Sequence, residues 1–115
     1  MRLTEEKIKE LLFQKLNNDL DSFIDELIKG GRSAFKNAIP ELTTKYEIML
    51  EFEYFFPLEG KALRSVCNKK NLLDFLYKEW QKDVDLRTED FHFAINEIAK
   101  REANRIAKHN SEPER

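Results

Sequence analysis

The sequence predicts an all-α fold, a compact orthogonal or mixed bundle of five to six short helices rather than one long coiled coil. Three observations carry that prediction. Apolar residues recur at three- and four-residue spacing in nearly every segment. In residues 71–83, for example, Leu72, Leu73, Leu76 and Trp80 share a face, and Lys78, Glu79, Lys82 and Asp83 fall between them. Charged residues make up 37% of the chain, a load that solvent-facing helical stripes accept readily. Only three glycines and three prolines occur in 115 residues, too few for the turns of a β-sandwich or barrel, and no strand-like alternation accompanies them.

The elements follow in order. Thr4 is placed to cap a first helix, with Glu5 and Glu6 favourable at the positive end of its dipole. Ile8, Leu12, Leu16, Leu20, Ile24 and Ile28 then recur every four residues, and Leu11, Phe23 and Leu27 widen the stripe. Asn17 and Asn18 predict a break or kink, because Asn is a poor helix former, and Gly30-Gly31 predicts the stop. Ser33 caps a short helix holding Ala34, Phe35, Ala38 and Ile39, with a boundary near Pro40. Thr44 and Glu47 fit a capping box for a helix carrying Ile48, Met49, Leu50, Phe52 and Phe55 and ending near Phe56. Pro57 opens the next helix, whose apolar face is Leu58, Ala62, Leu63 and Val66. Residues 67–71 form a polar connector ending in the cap Asn71, and residues 83–86 a short loop. The last helix begins near Thr88 and buries Phe91, Ala94, Ile95, Ile98, Ala99, Ala103 and Ile106. Residues 1–109 are expected to be one helical domain and residues 110–115 a frayed polar tail.

Composition excludes several functions. A net charge of −2 from 20 basic and 22 acidic residues gives no overall field toward nucleic acid or an anionic membrane. The single Cys67 forms no internal disulfide, which suits a reducing cytosol. No apolar run resembles a signal peptide or approaches the roughly 20 residues that span a bilayer. These features predict a soluble cytoplasmic protein without a membrane partner.

Candidate chemistry is sparse. Glu89 and His92 have the Glu-x-x-His spacing of di-metal bundles, which places both on one helical face. Such sites need two of these pairs plus a Glu from each of two other helices, and the other histidine, His109, has no such partner. Cys67 has no base close in sequence and reads as a small buried hydrophobe. The acidic pairs Glu51/Glu53, Asp83/Asp85 and Glu89/Asp90 do not face each other at helical spacing and read as solvated charges and caps. Gly30-Gly31 lacks the spacing of a phosphate loop. The sequence therefore predicts no catalytic site, no metal and no cofactor.

Residues 16–99 resemble an uncharacterised bacterial family, domain of unknown function 3848. The resemblance rests on an acidic amphipathic helix, Leu20-Asp21-Ser22-Phe23-Ile24-Asp25-Glu26-Leu27, and on the phrase from Ala38 to Lys45. It continues through the short helix 60–66 and Leu72-Leu73-Asp74-Phe75-Leu76-Tyr77-Lys78-Glu79-Trp80 before a final helix. Pro40 departs from the family pattern. The resemblance implies a helical fold, no established activity, an association with mobile genetic elements, and interaction rather than metabolism.

Two features point to binding. Phe52, Tyr54, Phe55 and Phe56 are four aromatics in five positions, more than one helical face can turn inward. They either cap one end of the core or, with Leu58, form a patch for a protein partner or a second copy. The predicted partner-binding residues are accordingly Tyr54, Phe55, Phe56 and Leu58. Alternatively, residues 44–70 read as a helix-turn-helix-like unit whose Lys61, Arg64, Lys69 and Lys70 contact nucleic acid, although Glu47, Glu51 and Glu53 would repel phosphate. Arg101, Arg105 and Lys108 form a further basic stripe, which Glu97 tempers by pairing with Arg101.

Overall fold

A computed structural model describes residues 4–54 and 58–111, the last two through their backbone alone. Among the described residues the chain forms six helices and no strand: α1 (Glu5–Asn37), α2 (Ile39–Tyr54), α3 (Gly60–Val66), α4 (Leu72–Lys82), α5 (Val84–Arg87) and α6 (Phe91–Ser111). The all-α bundle expected from the sequence is the fold observed.

Helix α1 starts as expected. The Thr4 hydroxyl accepts a hydrogen bond from the Lys7 amide at 3.2 Å. Its apolar repeat does not stay on one face. A four-residue repeat advances about 40° per step on a helix of 3.6 residues per turn. Ile8, Leu12, Leu16 and Leu20 are buried, Ile24 is half-buried, and Ile28 has rotated out to 63% exposure. Leu27, one residue earlier, takes the inward place. Leu11, expected to widen the stripe, is exposed. The helix runs unbroken through Asn17 and Asn18, because tertiary packing of the flanking leucines outweighs their weak propensity.

The kink falls at Gly31, with φ 88° and ψ −175°, a region open essentially to glycine alone. The helix resumes directly after it, so Ser33 lies inside a turn rather than at a cap. The boundary expected near Pro40 falls at Ala38. Pro40 itself sits in the first turn of α2, where its missing N–H needs no partner. Thr44 is therefore no cap: it lies within α2 and its hydroxyl donates to the Pro40 carbonyl at 3.0 Å. The expected end near Phe56 and the start at Pro57 lie outside the described residues.

Further along, α3 begins at Gly60 after Glu59. Asn71 precedes α4 in the left-handed conformation, but its side chain makes no capping bond. The loop expected at 83–86 is instead the single-turn helix α5, because the Asp83 carboxylate accepts from the Leu86 amide at 3.1 Å. Helix α6 starts at Phe91 rather than Thr88 and continues to Ser111, past the expected tail boundary at 110; residues 112–115 lie outside the described residues. Thr88 ends α5, and the Asp90 carboxylate accepts from the Phe93 amide at 3.4 Å.

One apolar cluster joins the helices. Helix α1 packs on α2, α3 and α4; α3 packs chiefly on α6; α4 bridges α2 and α6. Phe52, Leu58, Leu63, Leu72, Leu76 and Ile95 are among the fully buried side chains. Trp80 is half-buried, edge-on to Phe91 with ring centroids 5.7 Å apart.

Two substitutions separate the backbone constraint from the packing. A methyl added at Gly31 meets nothing within 4 Å, so the cost of Gly31→Ala is purely conformational. It is expected to be about 1–3 kcal/mol in urea unfolding. Leu16→Ala removes a fully buried side chain and is expected to cost about 2–5 kcal/mol in the same measurement.

Candidate interaction surfaces

The predicted aromatic patch divides on folding. Tyr54 is 70% exposed at the end of α2, whereas Leu58 is only 1% exposed and belongs to the core. Leu58 is thus removed from the surface patch: the chain turns it inward just before α3. Phe55 and Phe56 lie outside the described residues. Two turns before Tyr54, Tyr46 is 56% exposed, and Leu50 between them is half-buried. Residues 46, 50 and 54 follow four-residue spacing and lie along one side of α2. The sequence reading missed Tyr46, whose signal was this spacing.

The basic residues also separate. Lys61 and Lys70 are exposed, and Arg64 is half-buried. Lys69 is engaged internally: its ammonium lies 2.6 Å from Glu102 and 4.1 Å from the Phe75 ring centroid. The second helix of a helix-turn-helix packs on the first. Here α3 packs on α6 and α1, and among the described residues it makes no packing contact with α2. The segment 44–70 thus has two helices without the unit expected of them.

Two buried charges went unforeseen. Lys45 is 3% exposed, with its ammonium 2.7 Å from Glu41, 3.2 Å from Asp74 and 3.9 Å from the Phe23 ring centroid. Burial alone would raise the Asp74 carboxyl, but hydrogen bonds from Lys78 and Lys45 outweigh it and hold the group below its ordinary value. Glu102 is 4% exposed and accepts from Arg105 at 2.7 and 2.9 Å as well as pairing with Lys69. The Arg105 guanidinium, against the opposing effect of burial and with help from Lys69, holds its carboxyl below the ordinary value. Both residues sit in the register of an apolar stripe. Lys45 precedes Ile48 and Met49 by three and four residues, and Glu102 follows Ile98 and Ala99 by four and three. That register was the available signal. Beside the Lys45 cluster, burial pushes the Asp19 carboxyl up. The Leu73 amide and the charges of Lys15 and Lys45 offset this only in part, and Oδ2 has no hydrogen-bond partner among the described residues.

The metal candidate changes character. Glu89 is exposed and lies before α6 begins, so it shares no helical face with His92. The His92 ring instead meets the Glu51 carboxylate of α2 through Nδ1 and the Asn96 amide through Nε2 at 3.0 Å. Cys67 is half-buried and its thiol donates to the Arg64 carbonyl at 3.1 Å. On α6, Arg101 pairs with Glu97 at 3.4 Å, as its spacing predicts, and also faces Asp83 at 3.7 Å. Among the described residues no group of three or more His, Cys, Asp or Glu is placed to hold a metal, and no helix is long and apolar enough to cross a membrane. The chain matches no family model, no curated protein and no solved structure.

The buried charges predict opposite responses to acid. Glu102 titrates below 4.5, so its contribution is present above that pH and is lost as pH falls through the lower folded value. Glu102→Gln is expected to cost about 3 kcal/mol at neutral pH, the low end for breaking a buried pair because Arg105 reaches solvent. The difference from wild type should close on acidification below pH 4.5. Asp19 titrates above 3.8, so its contribution is present below that pH and is lost as pH rises through the folded value. Asp19→Asn is therefore expected to be more stable than wild type at neutral pH, with the advantage vanishing below pH 3.8. Urea unfolding across a pH series reads both.

Proposed function

We propose that the chain is a non-enzymatic protein-interaction module, presenting the Tyr46–Leu50–Tyr54 side of α2 to a protein partner or a second copy of itself. The observation that carries this reading is the exposure of two tyrosines along one helical side, 56% at Tyr46 and 70% at Tyr54. Tyrosine supplies large amphipathic contact area at low entropic cost and is enriched at binding hot spots. The lowered carboxyls of Asp74 and Glu102 have structural explanations in buried pairs, and the raised one of Asp19 in burial beside the Lys45 cluster.

A nucleic-acid role through Lys61, Arg64, Lys69 and Lys70 is the weaker reading. Lys69 would have to leave a carboxylate at 2.6 Å, which leaves Lys61 and Lys70 as its exposed lysines.

Both tyrosines are exposed, so the double variant Tyr46→Ser, Tyr54→Ser is expected to change stability by no more than about 0.5 kcal/mol per site. It is expected to abolish the complex seen by light scattering or by affinity capture compared with wild type. An unchanged complex removes the reading. A gel shift with duplex DNA that strengthens at low salt and is lost in Lys61→Ala, Lys70→Ala favours the nucleic-acid role instead.

A further inference from the structure

Around the Gly31 kink a groove of about 840 Å3 opens between α1 and the start of α2. Ile28, Phe35 and Ile39 line it with apolar surface, Gly31 with backbone, and Arg32 and Lys36 with charge. Ile28 is 63% and Ile39 50% exposed. Ile28 stands there because the four-residue repeat of α1 has rotated away from the core by that point. The shape depends on both glycines: a methyl at Gly30 would stand 2.8 Å from the Ala34 Cβ, and Gly31 holds a positive φ.

Charge is distinctive at the same place. Residues 27–40 contain Lys29, Arg32 and Lys36 and no acid, in a chain of net charge −2. Elsewhere Lys45, Lys69, Lys78, Lys82, Arg101 and Arg105 are each engaged by a carboxylate, whereas Lys61, Lys70, Arg87 and Lys100 have no ion-pair partner among the described residues but line no part of this groove. Among the described residues, Lys29, Arg32 and Lys36 have no ion-pair partner.

We propose that this groove docks an acidic amphipathic segment of a partner protein. The segment's apolar side chains fill the recess among Ile28, Phe35 and Ile39, and its carboxylates meet Arg32 and Lys36. A recess suits inserted side chains, whereas a lipid surface takes up apolar groups that protrude. A phosphate backbone would use the cations but leave the three apolar side chains in water. Ile39 stands seven residues before Tyr46 and so on the same side of α2, whereas Ile28, Arg32, Phe35 and Lys36 belong to α1. Substitutions on α1 therefore test the groove without altering the tyrosines.

The test titrates the full isotope-labelled chain with a short synthetic helical peptide and reads amide shifts. The peptide carries leucines at i, i+4 and i+7 with glutamates between. Shifts centred on residues 28–39 are expected, with affinity weakened about tenfold in Arg32→Glu, Lys36→Glu. A peptide with lysine in place of glutamate is expected to give none. Circular dichroism checks that the variant folds. Ile28→Ser, at a position 63% exposed, carries the same expectation should the charge reversal unfold the chain. No shift at 28–39, or an equal response to the lysine peptide, overturns the proposal. So does a response of these residues to phosphatidylglycerol vesicles but not to the peptide, which would mark a membrane surface. Concentration-dependent shifts there without peptide also overturn it, in favour of a second copy.

Discussion

The inward side of the first half of α1 is the constraint on which the other helices depend. Ile8, Leu12, Leu16 and Leu20 form the surface that α2, α3 and α4 pack against. Polar side chains of the same helix then finish α3. The Gly60 amide donates to the Glu5 carboxylate at its start, and the Lys15 ammonium donates to the Cys67 carbonyl at 3.4 Å just past its end. A helix of seven residues is too short to hold itself together in water. Here one hydrogen bond at each end comes from α1 while the apolar side packs chiefly on α6, so α3 forms only against these two helices.

The buried ions set how the remaining helices meet. Lys45 on α2 reaches Asp74 on α4 and lies over Phe23 of α1, joining three helices at one atom. Glu102 ties α6 to Lys69 in the connector before α4. Withdrawing such groups from water costs nearly as much as their attraction returns, so their net contribution to stability is small. Their effect is geometric: any other helix placement would leave a buried charge without its partner, at a much larger cost.

Exposure of apolar side chains follows from helix geometry rather than from composition. On α1 the same repeat that buries Leu12 and Leu16 brings Ile28 to the surface, beside cations that carboxylates do not reach. On α2 the inward side belongs to Lys45, Ile48, Met49 and Phe52, which turns Tyr46 and Tyr54 outward. The chain therefore has two chemically different surfaces, one apolar and basic, the other tyrosine-bearing and flanked by the exposed Glu47 and Glu53.

Local signals in the sequence determined the fold class, most of the inward apolar residues of α3, α4 and α6 though not Tyr77, and the Thr4 cap, because spacing and capping act within a few residues of chain. Boundaries that depend on competition were decided by packing. Asn17 and Asn18 stay helical because their neighbours are buried, Pro40 enters α2 instead of ending a helix, and Thr44 gives up its cap to a longer α2. The positions of Leu58, Lys45, Glu102 and Ile28 belong to the tertiary structure for the same reason. A side chain's surroundings are made by residues far away along the chain, and no local pattern records which of them will come to lie beside it.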